Sequence, residues 1–92
     1  MQDTNKSTSK ARVYLVEDHP VVREYIAAHV RTDLGLEVCG GAANTKQAFA
    51  DIQQLKPDLV IIDLSLADGH GFELIKDIGL MTPAPRMLVF SS

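Results

Sequence analysis

The run Leu59-Val60-Ile61-Ile62 contains no polar residue and stops abruptly on Asp63. A strand with one wet face would alternate in polarity. An unbroken β-branched run therefore reads as a strand buried on both faces, as in parallel sheets. Arg12-Val13-Tyr14-Leu15-Val16 has the same character and stops on Glu17 and Asp18. Strands of this kind need a covering layer on each side, and the intervening segments supply helices. His19-Pro20 reads as a helix start, because proline at the first helical position loses no useful hydrogen bond. Val22, Ile26 and Val30 follow at four-residue spacing, with Tyr25 and His29 on an adjoining row, and predict one apolar stripe ending near Gly35.

Leu36 to Ala42 reads as a weaker strand, diluted by Gly40 and Gly41. Asn44 with Gln47 has the form of a capping box, and Ala48, Ile52 and Leu55 predict the buried stripe of a second helix. Lys56-Pro57 ends it. After Asp63 comes a loop over 64–71, rich in Asp and Gly, then a helix from about Gly71 to Ile78 with Leu74, Ile75 and Ile78 inward. Gly79, Pro83 and Pro85 break that helix, and Arg86 to Phe90 form a fourth strand running into Ser91 and Ser92.

The order β-α-β-α-β-α-β implies an α/β fold: a doubly wound parallel sheet with right-handed crossovers and helices on both faces. In such a sheet every strand ends on one edge, and ligands bind there. At 92 residues the chain has room for one domain. Met1 to Lys10 is polar throughout and reads as a flexible N-terminal tail, not a secretory signal, leaving residues 11–92 as the folded part. No stretch approaches the roughly 18 apolar residues that span a bilayer, so the cytoplasm is the expected location. The net charge of −3 offers no broad footprint for nucleic acid. Cys39, the single cysteine, rules out an intramolecular disulfide and a multi-cysteine zinc site. On its strand it reads as a small buried hydrophobe.

If the first and third strands are neighbours, Glu17, Asp18 and Asp63 converge at one rim. Like charges this close repel, and no Lys or Arg stands immediately beside them in the sequence. A hard divalent cation with oxygen ligands, such as Mg2+, relieves the repulsion. A carboxylate in that setting can act as a nucleophile toward phosphorus. The hydroxyls of Ser91 and Ser92 after the fourth strand suit contact with a phosphoryl oxygen. Each residue also has a plainer reading: Asp18 as a helix cap, Asp63 as a turn-former, and Ser91 as nothing in particular. The conjunction favours the chemical reading. His19 and His70 lie near the rim, but imidazole matches an oxygen-preferring site poorly, and His29 reads as the edge of a helix stripe.

The chain resembles the receiver domain of two-component response regulators from Ala11 onward. The matching text is Val13-Tyr14-Leu15-Val16-Glu17-Asp18-His19-Pro20-Val21-Val22-Arg23, Lys56-Pro57-Asp58-Leu59-Val60-Ile61-Ile62-Asp63-Leu64 and Gly69-His70-Gly71-Phe72-Glu73-Leu74. The Glu-Asp-His-Pro opening, with Glu37-Val38-Cys39-Gly40-Gly41-Ala42-Ala43-Asn44, is most similar to the LuxR/NarL-type subfamily that regulates transcription through a C-terminal helix-turn-helix. The resemblance implies a flavodoxin-like sheet with strand order 2-1-3-4, and a further helix, strand and helix beyond this chain's end. It implies Asp63 as phosphoacceptor, with Mg2+ held by Glu17, Asp18, Asp63 and the Ser65 backbone carbonyl. It implies Ser91 as the switch hydroxyl and Gly71 as the glycine that lets the loop turn into the next helix. Ala67 stands where the family usually has proline. The family's lysine at the end of the fifth strand has no counterpart before Ser92.

The expected partner is a sensor histidine kinase or phosphotransfer protein, with the domain acting as a signalling module and not as an enzyme on an external substrate. Direct nucleic-acid or membrane binding by this segment is not expected. Self-association is, as a homodimer or otherwise, through an uncovered fourth strand and sheet face. Two alternatives remain: a receiver-like module, or an unphosphorylated fragment, acting only by protein–protein contact; and a haloacid-type phosphohydrolase. The second would want an Asp two residues after Asp63, where this chain has Ser65.

Overall fold

The computed structural model of the protein describes residues 10–91; the tail expected over 1–10 and the second serine, Ser92, lie outside them except for Lys10, which is exposed coil. Seven elements follow in strict alternation: β1 (Arg12–Val16), α1 (Pro20–Thr32), β2 (Glu37–Ala42), α2 (Thr45–Leu55), β3 (Leu59–Asp63), α3 (Gly71–Gly79) and β4 (Arg86–Phe90). The strands form one sheet in the order β2-β1-β3-β4, with every pair parallel. The two runs that end in acids are therefore neighbours at the centre of the sheet, with Val16 opposite Ile62. The 2-1-3-4 order and doubly wound α/β class expected from the sequence are both present.

Alternate residues of β1 and β3 serve two cores. Tyr14, Val16, Val60 and Ile62 pack with Ala48 and Ile52 of α2 and with Leu74 and Ile78 of α3. Val13, Leu15 and Ile61 face the other way, against Ala27 and Val30 of α1. Such two-sided burial is why these strands lack a polar alternation.

Three local expectations need correction. The stripe of α1 is rotated: Ala27 and Val30 are its buried residues, whereas Val22 is partly exposed and Tyr25 is 74% exposed. The small Ala27 side chain seats the helix close to the sheet, and Val22 and Tyr25 stand off it. The helix itself ends at Thr32, three residues before Gly35. The capping box at α2 is half formed. Asn44 accepts from the Gln47 amide, but the Gln47 side chain bonds Asp51 Oδ1 instead of returning to residue 44. Asp51 is drawn there because its other oxygen accepts from the buried Tyr14 hydroxyl at 2.6 Å. Burial, followed by the hydrogen bond to Asp51, pushes the Tyr14 phenol well above its ordinary pKa.

Candidate acidic site at the carboxyl edge of the sheet

β1 and β3 deliver Glu17, Asp18 and Asp63 to one edge, where ligand atoms of these three and His19 lie within 4.8 Å of one another. Glu17 and Asp63 are as buried as the apolar core. Two bonds fix the turn after β1: the Glu17 amide donates to the Ala42 carbonyl at 3.1 Å, and Arg23 Nη1 donates to the Glu17 carbonyl at 2.6 Å. Arg23 thus reaches back from the first turns of α1 and holds the backbone beneath the acids.

Asp18 does not cap α1. Residue 19 holds the cap position and makes no side-chain cap bond. Asp18 Oδ2 instead accepts the Ala67 amide at 2.8 Å, across to the loop that follows β3. Asp63 does form a turn, as its plainer reading required: Oδ1 accepts the Ser65 amide at 2.9 Å and the Ser65 hydroxyl at 2.8 Å. One residue thus both shapes the loop and contributes to the acidic cluster.

His19 belongs to the cluster, contrary to the expectation that it was bland. Its Nδ1 donates to Glu17 Oε2 at 2.8 Å and stands 3.1 Å from Asp18 Oδ1. The hydrogen bond to Glu17 and the charge of Asp18 raise the imidazole pKa above its ordinary value. The signal was adjacency in sequence. What adjacency could not supply was the turn that folds the ring back over Glu17. His70 is drawn away from the rim instead, with Nδ1 bonded to Glu73 Oε1 at 2.7 Å.

Glu17 Oε1 and Asp18 Oδ1 are buried and accept no hydrogen bond within the described residues. A buried carboxylate oxygen without a donor is costly unless a cation answers it. A donor set of clustered carboxylate oxygens suits a hard divalent ion that keeps water in its shell. The residues therefore fit Mg2+ on their own chemistry.

The loop after β3 is pinned at several points. Leu64 donates to the Phe90 carbonyl at 2.7 Å, so the end of β4 lies beside the residue after Asp63, and Ser91 follows it at the same edge. Asp68, which sequence reasoning missed, accepts the Thr45 amide at 2.7 Å and the His70 amide at 3.0 Å. The Asp68-Gly69 pair announces a turn, but nothing local announces Thr45 as the partner. Gly69 is the residue at positive φ, +76°, whereas Gly71 is not at positive φ. The turn expected of Gly71 is thus made by Gly69, and Gly71 serves close packing instead.

Residues 13–92 match the family model of the response regulator receiver domain, and the chain belongs to that family. It is 38% identical over 81 residues to a protein-glutamate methylesterase/protein-glutamine glutaminase of Agrobacterium fabrum, covering 88% of this chain and 23% of that protein. It is 36% identical to the DNA-binding transcriptional activator DevR/DosR of Mycobacterium tuberculosis, covering 88% of this chain and 37% of that one. Among solved structures, a LuxR-family two-component response regulator from Aurantimonas sp. superposes with a TM-score of 0.81 at 35% identity, over 90% of this chain and 59% of that one. The chain thus spans well under half the length of these curated relatives. No helix among the described residues is long and apolar enough to cross a membrane.

Proposed function

We propose that this domain receives a phosphoryl group on Asp63 from a phosphohistidine of a sensor histidine kinase or phosphotransfer protein in the cytoplasm. The observation that carries the reading is the buried Asp63 carboxylate beside Glu17, whose Oε1 is buried without a hydrogen-bond donor among the described residues. Glu17, Asp18 and Asp63 would hold Mg2+, with the Ser65 backbone carbonyl as a fourth protein ligand. When bound, the ion neutralises the clustered acids and the charge on the phosphoryl oxygens.

A carboxylate oxygen of Asp63 forms a bond to phosphorus as the phosphorus–nitrogen bond to the donor imidazole breaks. The electron pair of that bond stays on the imidazole nitrogen. Ser65, bonded to Asp63 Oδ1 through both amide and hydroxyl, fixes the rotation of the attacking carboxylate. Arg23 and Asp18 hold the loops on either side of it. Ser91, at the carboxyl end of β4, supplies the hydroxyl that turns toward the phosphoryl group. The movement that follows is a two-state shift of β4 and the loop before it, read by an output elsewhere in the parent protein. Transcription control, the role of the DevR/DosR relative, is the output proposed for that parent protein.

Acetyl phosphate with Mg2+ tests the reading by intact mass. The wild-type chain is expected to gain one phosphoryl group and Asp63→Ala none. Equal modification of the two removes Asp63 from the role.

A further inference from the structure

The cluster at the carboxyl edge is not made of carboxylates alone. His19 Nδ1 stands 2.8 Å from Glu17 Oε2 and 3.1 Å from Asp18 Oδ1. Neighbouring ligands about 2.1 Å from a common ion are about 3.0–3.4 Å apart. The ring nitrogen and the two acids are thus already spaced close to neighbours in one coordination shell. Glu17 is 1% exposed, and its Oε1 has no hydrogen-bond donor among the described residues. A buried oxygen that calls for a cation therefore sits beside an imidazole nitrogen.

An imidazole changes which cation fits. Mg2+ takes oxygen ligands, whereas nitrogen beside carboxylate suits a borderline ion such as Zn2+. The His19 side chain is 64% exposed at the cap position of α1, so the ring can turn without unpacking the core. Nδ1 releases its proton to solvent as the nitrogen–metal bond forms. Glu17 Oε2 then keeps a donor, because the His19 backbone amide also bonds it at 3.0 Å. The rings of His29 and His70 each pair with one exposed acid, Asp33 and Glu73 respectively, and stand outside this cluster.

We infer that the site also accepts a transition ion of the Zn2+ class, with His19 Nδ1 as a ligand beside Glu17, Asp18 and Asp63. That ion competes with Mg2+, which the carboxylates hold without the ring. This rests on the reading of Glu17, Asp18 and Asp63 as cation ligands.

The experiment measures Zn2+ and Mg2+ affinities separately, by NMR titration of the 92-residue chain as wild type and His19→Asn. Asparagine is a favoured helix cap, so the start of α1 is kept. Removing the imidazole also removes any charge it carries, which acts alike on both ions, so the ratio of the two affinities is the readout. His19→Asn is expected to lower the Zn2+/Mg2+ affinity ratio by at least about tenfold, no less than the loss of a group that merely supports a ligand. In the wild type, the His19 ring signals are expected to follow the same Zn2+ saturation curve as the amides of residues 17, 18 and 63, and excess Mg2+ to reverse it. An unchanged ratio in His19→Asn overturns the inference and leaves the Mg2+ reading intact. Zn2+ that moves only the His29 and His70 rings, or that Mg2+ does not displace, overturns it as well. A wild type whose residues 17, 18 and 63 ignore both ions overturns both readings.

Discussion

A side chain on Gly71 would place its Cβ 2.9 Å from the carbonyl oxygen of Leu64, the residue directly after Asp63. Real Cβ atoms do not come so close to backbone oxygen, so the first residue of α3 is packed against the segment that leaves the acidic site. Relieving the clash in Gly71→Ala requires α3 and the loop to move apart. A cost of about 2 kcal/mol is expected, within the range for overpacking a filled site. Gly69 lies in open space but at φ +76°, so Gly69→Ala is expected to cost only about 1 kcal/mol of backbone strain. Urea unfolding of both variants checks the order. A Gly71→Ala chain as stable as Gly69→Ala would show that the contact yields easily.

The acidic cluster predicts a trade of metal-free stability against metal binding. Two unit charges about 5 Å apart repel by roughly 3 kcal/mol at an effective dielectric near 20, and His19 offsets part of this. Asp63→Asn keeps an oxygen for Ser65 and removes one charge. In chelator it is expected to be more stable than wild type by about 1 kcal/mol, a rise in Tm of roughly 4–8 °C for a domain of this size. Added Mg2+ is expected to stabilise the wild type and to close that gap. A Tm for Asp63→Asn at or below wild type in chelator contradicts the account.

Asp68 predicts a pH dependence in the acid range. Burial pushes its carboxyl up, but the amides of Thr45 and His70 outweigh burial and hold its pKa below the ordinary value. With the folded pKa depressed, the unfolded chain binds the proton first. The stabilisation is therefore complete above the unfolded value, near about 4, and is lost as pH falls through the lower folded value. Asp68→Asn is expected to be less stable than wild type by about 1–2 kcal/mol at neutral pH, as for a hydrogen bond to a charged group. The difference is expected to shrink below about pH 4. Urea midpoints at neutral pH and near pH 3 measure it, and a gap constant across that range would remove the carboxylate charge as its source.

The sequence carried the central strands and the acids because both signals are local. Leu59 to Ile62 is apolar on every residue because α1 covers one face and α2 and α3 the other, and an acid at the end of such a strand has nowhere to go but the rim. The inward face of α1 was less legible. Its rows Val22-Ile26-Val30 and Ala27-Val30 adjoin on the helix, and only the angle at which α1 crosses the sheet chooses between them. The tethers of the loop were not legible at all. Ala67 reaches Asp18 across 49 residues and Asp68 reaches Thr45 across 23, in both cases through a backbone amide, a group that every residue but proline carries. The half-formed capping box failed for a related reason, since Asp51 competes for Gln47 while fixed by Tyr14 from another element.

β4 predicts the behaviour of the 92-residue chain in solution. Among the described residues it pairs only with β3, so its other edge presents unpaired backbone groups. Its faces are no better covered: Leu88 is 55% exposed and Val89 40%, unlike their neighbours Ile61 and Ile62 on β3. An apolar edge strand is a template for pairing with another chain, and a charged side chain on it is the usual block. The wild-type chain is therefore expected to self-associate at micromolar concentration, and Leu88→Lys with Val89→Lys to shift it toward monomer. Both positions are already open to water, so the double variant is expected to cost the fold itself under about 1 kcal/mol. Sedimentation velocity across a concentration series, with circular dichroism to confirm that both proteins fold, separates the outcomes. A wild type that stays monomeric throughout would show that the edge of β4 is too short or too twisted to recruit a partner strand.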